Sequence, residues 1–366
     1  IGPDAAAAAG VADACIAGDI AVFGPTAAAA RIESSKTFAK TVMHRAGIPT
    51  ARWVAGDAAQ RPRLEELVND TGGRCVVKAD GLALGKGVMV CDTTEDAWRA
   101  LDECLEQQRF GAAGASVVVE ERLSGPEVSV FGISDGRSIR VLSPARDHKR
   151  ALDGDRGPNT GGMGAIAPPD EADIASLLDE ATRTVLQPCI DALRDLGTPF
   201  TGCLYAGLML TQQGIRVLEY NARFGDPEAQ VVLPLLDESF AGLLTAAAHG
   251  ELQPGRAAAT PGSAVGVVAA AAGYPGTPRT GDVIEGIDRL DPGVHCFHAG
   301  TRLDATEALR TAGGRVLCVT ALGADATAAR LSAYANLSRI RFDGMQYRRD
   351  IGGAATPPVT GERVHG

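Results

Sequence analysis

The densest chemistry in the chain lies in Val217-Leu218-Glu219-Tyr220-Asn221-Ala222-Arg223-Phe224-Gly225-Asp226-Pro227-Glu228. Glu219 and Asn221 stand two apart at the end of an apolar, strand-like run, so their side chains leave the same face. Two hard oxygen donors there suit Mg²⁺, which takes one or two protein ligands and completes its octahedron with phosphates and water. Arg223 follows on that face and is placed to stabilise a phosphoryl group in transit. The bland alternative is a chance polar strand end.

Three further segments carry chemistry of the same kind. Val76-Val77-Lys78-Ala79-Asp80-Gly81-Leu82-Ala83-Leu84-Gly85-Lys86-Gly87-Val88 superficially suggests a Walker A loop. Only three residues separate Gly81 from Gly85, Gly87 stands where a magnesium-holding Ser or Thr belongs, and the flanks read as two strands. A glycine-rich turn between strands can instead fold over a nucleotide, its N–H groups facing phosphates, with Lys78 supplying a cation. The alternative is a flexible hairpin with a solvated Lys86. In Val117-Val118-Val119-Glu120-Glu121-Arg122-Leu123-Ser124-Gly125-Pro126-Glu127 a strand breaks and resumes. It is either a crevice edge, where main chain reads an adenine and a carboxylate accepts from ribose hydroxyls, or a solvated acidic turn. Last, Asp147-His148-Lys149-Arg150 precedes Gly157-Pro158-Asn159-Thr160-Gly161-Gly162-Met163-Gly164. Cationic groups beside a loop rich in free N–H donors suit an anionic ligand. So long a stretch without apolar periodicity favours function over an idle exposed loop.

The elements that must position these groups follow from pattern. Residues 10 to 17 read as a short helix, Ile20 to Phe23 as a strand, and Ala27 to Ala46 as one helix, carrying Lys36 and Lys40, that stops at Gly47 before Pro49. Strands are expected at Cys75–Ala79, Val88–Cys91, Val117–Glu120, Val128–Ile133 and Ile139–Pro144, with a helix over Thr94 to Gln107 and a turn at Asp135-Gly136. Asp170 to Leu196 is helical, Cys203–Leu210 and Ile215–Tyr220 form a hairpin, and Glu228 to Leu236 and Phe240 to His249 are helices. Leu252 to Gly262 reads as a linker. Beyond it three strands (Ala264–Ala271, Val294–Gly300, Arg315–Leu322) and a helix near Thr327–Ala335 form a small α+β unit.

Composition narrows the classes. At 366 residues, with 45% hydrophobic and 22% charged residues, the chain calls for two or three globular domains. Its net charge of −10 argues against nonspecific nucleic-acid binding. No run approaches the roughly 18 apolar residues of a membrane span, and no signal-peptide pattern opens the chain. The eight cysteines contain no C-x-x-C pair and read as reduced core thiols of a cytoplasmic protein. His295-Cys296-Phe297-His298 does not read as a zinc site, because alternation sends His295 and Cys296 to opposite faces.

In this order the four segments resemble the ATP-grasp superfamily, in which a lid domain and a larger domain ending in Glu-x-Asn hold ATP between them. Within it, Phe23-Gly24-Pro25-Thr26, Lys78 to Ala83, Asp147 to Arg150, Gly157 to Gly164, Asn221 to Glu228, Gly273-Tyr274-Pro275-Gly276, Phe297 to Thr301 and Gly313 to Leu317 resemble the phosphoribosylamine–glycine ligase family. The resemblance implies a multidomain α/β and α+β protein. Residues 1–50 would be the remainder of an N-terminal α/β domain with its connecting helix, 51–127 the lid, 128–255 the large ATP-grasp subdomain, and 262–366 a C-terminal α+β domain. It implies that glycine, 5-phosphoribosylamine and ATP give glycinamide ribonucleotide, ADP and phosphate through glycyl phosphate, in a cytoplasmic monomer that uses Mg²⁺ or Mn²⁺ and binds neither nucleic acid nor membrane. Carried over by position, Lys36, Lys78, Gly81, Gly85, Lys86 and Gly87 would meet ATP phosphates. Glu120, Glu121 and Leu123 would hold adenine, Glu127 the ribose, and Glu219 and Asn221 the metal. Asp147, Lys149, Asn159, Thr160, Gly161, Gly162, Arg223 and Asp226 would surround glycine, the phosphoryl group in transit and the phosphoribosyl moiety. Two departures stand out: Asp4 replaces a usual Glu, and the family's opening strand and Gly-Gly-Arg-Glu-His turn are expected to precede Ile1. Another ATP-grasp carboxylate ligase and a non-catalytic nucleotide-binding protein are the competing readings.

Overall fold

Valine-rich strands, the central two buried on both faces, build the sheet that carries Lys78. β1 (Trp53–Asp57), β2 (Cys75–Ala79), β3 (Val88–Val90) and β4 (Ser116–Glu121) pair antiparallel in the order β1-β4-β2-β3. Val77, Val117 and Val119 face one way, into a core with Leu64, Leu67 and Val68 of the helix Arg61–Asp70 and Leu101 of the helix Thr94–Leu105. Each such fully buried aliphatic side chain contributes about 1.5–3 kcal/mol. Lys78 and Glu120 leave the opposite face, and that face is buried too. The structure, a computed structural model, describes residues 3–83, 87–170 and 173–353. Gly85 and Lys86 of the expected phosphate-covering turn lie outside the described residues.

The chain clusters into two compact units that are not consecutive in sequence. One comprises Ile1–Ala145, Asp173–Gly225 and Leu236–Thr260; the other comprises Arg146–Ala172, Asp226–Leu235 and Pro261–Gly366. The first holds the sheet above and a second sheet of β5 (Glu127–Asp135), β6 (Ile139–Val141), β7 (Thr201–Thr211), β8 (Gly214–Asn221) and β9 (Gly255–Arg256), in the order β8-β7-β5-β6-β9. Asp135 closes the β5–β6 turn by accepting from Arg137 N and Ser138 N, and Gly136 takes φ +92 as such a turn requires. β9 lies inside the stretch read as a linker: Gly255 and Arg256 extend the sheet edge parallel to β6.

Two expectations for the start of the chain are corrected. Ile20–Phe23 forms no strand; it finds no ladder partner among the described residues, and Ile20 is 60% exposed. The single helix over 27–46 is two, α1 (Ala27–Ser34) and α2 (Lys36–Arg45). Ser35 breaks it with extended dihedrals (φ −136, ψ 112), and its hydroxyl caps α2 by accepting from Phe38 N at 3.1 Å. The helix expected over 228–236 is also shorter, spanning Ala229–Val232 before a 3₁₀ turn.

The second unit is built on an antiparallel sheet of five strands, ordered His295–His298, Arg315–Gly323, Ser263–Ala270, Gly164–Ala167, Arg146–Asp147. The helix Ala326–Leu337 packs on it through Ala329, Ala333 and Leu337 against Val265, Val267 and Val319. The last two strands of that order come from the segment around His148, so the loop expected to bind an anion is anchored in this sheet at both ends. On strand His295–His298 the His295 ring stacks on Phe297 at 5.9 Å, so the residues of like parity do share a face. All eight cysteines are free thiols. Among the described residues no helix is long and apolar enough to cross a membrane.

Candidate active site

In the first unit the site is assembled where α2 meets the end of β8. Lys36, the first residue of α2, holds the Glu219 carboxylate at 3.1 Å. Burial works to lower the Lys36 pKa, but the Glu219 charge, with Glu33 and Glu120 behind it, outweighs burial and raises it. Asp80 fixes that first turn: its carboxylate accepts from Thr37 N at 2.6 Å and from the Ser35 and Ser116 hydroxyls, and its carbonyl accepts from Lys36 N. An acceptor at a helix N-terminus satisfies orphan N–H groups and complements the dipole. Asp80→Ala is therefore expected to cost about 1–2 kcal/mol in denaturant unfolding and to raise KM for ATP, with Asp80→Asn losing less. Equal stability of the wild type and the alanine variant would contradict this role.

β8 is irregular where it matters. Its register against β7 slips between Gly207 and Leu208, so Glu219 faces Gly207, Val217 faces Leu208, and Leu218 has no opposed residue. Such a bulge re-aims side chains and frees main-chain acceptors; Lys78 Nζ donates to Leu218 O at 2.8 Å. At the last residue of the strand, Asn221 is buried and its Oδ1 accepts from Arg223 Nη2 at 3.4 Å. Arg223 also lies 3.3 Å from Glu33 and donates to Phe224 O. Glu33, 5% exposed, accepts from Ala222 N at 2.8 Å; its pKa is raised by burial, against the opposing pull of Arg223. The Glu219 and Asn221 oxygens both already accept from cationic groups, so the donor set fits a small hard cation. Among the described residues no cluster of three or more His, Cys, Asp or Glu is placed to hold a metal.

Behind Lys78 lies a buried carboxylate. Glu120 Oε1 is 3.0 Å from both Lys40 Nζ and Lys78 Nζ, as charge contacts outside hydrogen-bond angles. Its side chain thus faces inward, and any base contact from this edge falls to its main chain and to Glu121 and Leu123. Glu121 accepts from Arg52 N at 2.9 Å, Leu123 is half-buried and Glu127 is exposed at the start of β5. Gly81 has a second reason to be glycine, since a Cβ there would stand 2.8 Å from Ala113 Cα. At Gly87 a Cβ would meet the Ala83 Cβ at 2.7 Å.

In the second unit Arg315 organises the loop. Its guanidinium donates to Gly161 O (2.7 Å) and Asp226 O (2.6 Å) and to the Asp226 carboxylate (2.9 Å), which also accepts from Gln230 at 2.8 Å. Gly162 has φ +109, and a Cβ there would strike Pro227 at 2.4 Å; only glycine fits. Thr160 accepts from Gly162 N and donates to Lys149 O, while Tyr274 OH accepts from Gly161 N. Lys149 pairs with Asp147 at 2.9 Å, and Asn159 is exposed opposite Arg150. The residues expected around one ligand thus form two constellations, Gly161–Gly162 with Asp226 in this unit and Asn221 with Arg223 in the other. Sequence reasoning missed Arg315, Glu33, Asp80 and the role of Lys40; the one readable signal was an acid, Glu33, on a helix of buried alanines.

His148 sits beneath this loop, 8% exposed, its Nδ1 without a hydrogen-bond partner among the described residues. Burial, then Arg146 and Arg348, push its pKa down to about 4. An unfolded histidine near 6.5 binds its proton first, so the native state loses stability as pH falls from about 6.5 to about 4. The expected loss is about 3 kcal/mol at most. His148→Asn should flatten that part of the stability–pH curve; an unchanged slope would count against a buried neutral imidazole.

Comparison with known proteins agrees with this layout. The profile of the phosphoribosylglycinamide synthetase ATP-grasp (A) domain matches residues 34–229, and that of the C domain matches 264–354. A phosphoribosylamine–glycine ligase of Streptomyces coelicolor is 51% identical over 363 residues, covering 97% of this chain and 83% of the relative. The crystal structure of the phosphoribosylamine–glycine ligase from Thermotoga maritima superposes with a TM-score of 0.81 at 36% identity, over 90% of this chain and 81% of that one. The biotin carboxylase domain of Hydrogenobacter thermophilus 2-oxoglutarate carboxylase aligns with a TM-score of 0.70 over 92% of this chain and 72% of that one; at 15% identity it speaks for the fold alone. Both profiles match in chain order and the relatives align along nearly the whole length, so the chain belongs to the phosphoribosylamine–glycine ligase family, with an ATP-grasp core and the family's C domain.

Proposed function

We propose that this protein ligates glycine to 5-phosphoribosylamine at the expense of ATP, giving glycinamide ribonucleotide, ADP and phosphate in de novo purine synthesis. The observation that carries the reading is the convergence of Lys36, Lys78, Glu219, Asn221 and Arg223 around the end of β8, in a chain of this family.

A glycine carboxylate oxygen attacks the γ-phosphorus in line, and ADP leaves. The amine of phosphoribosylamine then attacks the glycyl carbonyl, phosphate departs with the bridging oxygen, and the amine proton is lost to solvent or base. No protein nucleophile is needed, so the residues act by position and charge. Lys36 and Lys78 draw the phosphates, with Gly81 and Gly87 beside them. The main chain at 120–123 takes the adenine and Glu127 the ribose. Arg223 stabilises the equatorial oxygens of the transferring group. Glu219 and Asn221 would hold Mg²⁺ (or Mn²⁺), which neutralises phosphate charge when bound. Asp147, Lys149, Asn159, Thr160, Gly161, Gly162 and Asp226 bind glycine and the phosphoribosyl group. In this reading residues 51–127 act as the lid of an enzyme that works in the cytoplasm.

ADP release tests the reading. It is measured with ATP, Mg²⁺ and glycine, with and without phosphoribosylamine formed in situ from ribose 5-phosphate and ammonia. Release that needs both substrates is expected. Release indifferent to both, or answering to bicarbonate or formate, would overturn it.

A further inference from the structure

A closed ring of contacts joins α2, the sheet of β1–β4 and β8, and one of its members, Lys40, has no part in the function just described. Lys40 and Glu120 are each 2% exposed, and Lys78 is 5% exposed. Lys36 and Lys40 lie four apart on α2, hence on one helix face; the first holds Glu219 and the second Glu120. Lys40 Nζ also donates to Thr50 Oγ1 at 2.6 Å, and that hydroxyl donates to Val217 O at 2.6 Å. Lys78 reaches β8 one residue later, at Leu218 O, and returns to Glu120. The two carbonyls that precede Glu219 are thus tied to two lysines that share one buried carboxylate.

The charge balance gives the ring a purpose. Two ammonium groups and one carboxylate leave net positive charge where little water screens it. With Lys40 absent, Glu120 would pair with Lys78 alone and cancel its charge toward a third partner. Burial, against the pull of Glu120, brings the Lys40 pKa down to about 8, in keeping with a site that is short of negative charge.

We propose that Lys40 is a positioning residue for the nucleotide: by sharing Glu120 it leaves Lys78 net positive toward phosphate, and through Thr50 it fixes the main chain leading into Glu219. The inference rests on the roles given to Lys78 and Glu219 above. Lys40 touches neither substrate nor metal in this scheme.

The test is ADP affinity by calorimetry, with and without Mg²⁺, on the full chain. Lys40→Met is expected to weaken ADP binding about 10- to 100-fold while KM for glycine moves by less than about twofold. Thr50→Val, which removes the hydroxyl between Lys40 and Val217 and leaves the Lys40–Glu120 pair in place, should weaken it about threefold. The double variant Lys40→Met/Glu120→Gln should recover most of the affinity lost in the single one, because Lys78 regains its free charge. A merely structural role would lower the unfolding midpoint and leave ADP affinity per folded molecule unchanged. Wild-type affinity in folded Lys40→Met, or a double variant no better than the single, would overturn the proposal. Should Lys40→Met not fold, Thr50→Val decides, and unchanged affinity in it is the contrary result. Failure of the wild-type protein to bind ADP is a different failure: it would remove the nucleotide reading itself, and Lys40's role with it.

Discussion

Arg223→Ala is expected to lower kcat about a thousandfold, near the lower end of what removal of a transition-state arginine costs in phosphoryl transfer. The side chain is 34% exposed, so its head can reach a ligand, while its other contacts hold it against Glu33 and Asn221. Part of any loss is structural, because Glu33 is buried and, when the guanidinium goes, its carboxyl loses its nearest cation and keeps the Ala222 N hydrogen bond. That cost is about 1–2 kcal/mol, discounted for the exposed half of the pair. Arg223→Ala/Glu33→Gln separates the two effects. It should restore most of the stability and none of the turnover. Arg223→Lys should keep the charge but lose the fork that meets Glu33, Phe224 O and a phosphoryl group together, leaving kcat between wild type and alanine. A double variant that regained both stability and kcat would show that Arg223 only supports the fold.

Glu219→Gln is expected to raise the Mg²⁺ concentration for half-maximal activity about 100-fold, equivalent to about 2.7 kcal/mol. A neutral amide oxygen keeps the shape of the donor and loses its charge, and Mg²⁺ is bound through few protein oxygens, so each counts. Little stability should be lost, since Glu219 is 35% exposed and its contact to Lys36 is partly solvated. Lys36 is then released toward phosphate, so ADP binding without metal should hold or tighten as metal-dependent turnover collapses. An unchanged Mg²⁺ requirement, measured by titrating activity at fixed ATP, would place the metal elsewhere.

Strand and helix patterns were legible wherever apolar alternation or helical spacing ran unbroken, as in Cys75–Ala79, Thr201–Thr211 and Ala326–Leu337. What escaped depended on partners distant in sequence. The break at Ser35 owes as much to Asp80, 45 residues away, as to serine's own capping tendency. Ile20–Phe23 has a strand's composition and no neighbour to pair with, and β-propensity is largely a matter of neighbours. Arg146–Asp147 is a polar pair and Gly164–Ala167 an apolar run of only four residues, too short to announce strands, yet they complete the sheet of the second unit. For the site, Lys78, Glu219, Asn221 and Arg223 could be named because each sits near a strand end or a glycine turn, whereas Lys36, read in the middle of one helix, was named only through the family resemblance. Glu33, Lys40 and Arg315 sit on ordinary-looking elements, and only the contacts made across the fold give them meaning.

Activation of the glycine carboxylate by phosphorylation leaves a mark in the products, because one carboxylate oxygen must pass to phosphate. The purified chain is given ATP, Mg²⁺, phosphoribosylamine formed in situ and glycine labelled with ¹⁸O in both carboxylate oxygens, and the released phosphate is weighed by mass spectrometry. One ¹⁸O in each phosphate is expected, with the other retained in the amide product. Phosphate released without label, at the same rate with or without glycine, would contradict it.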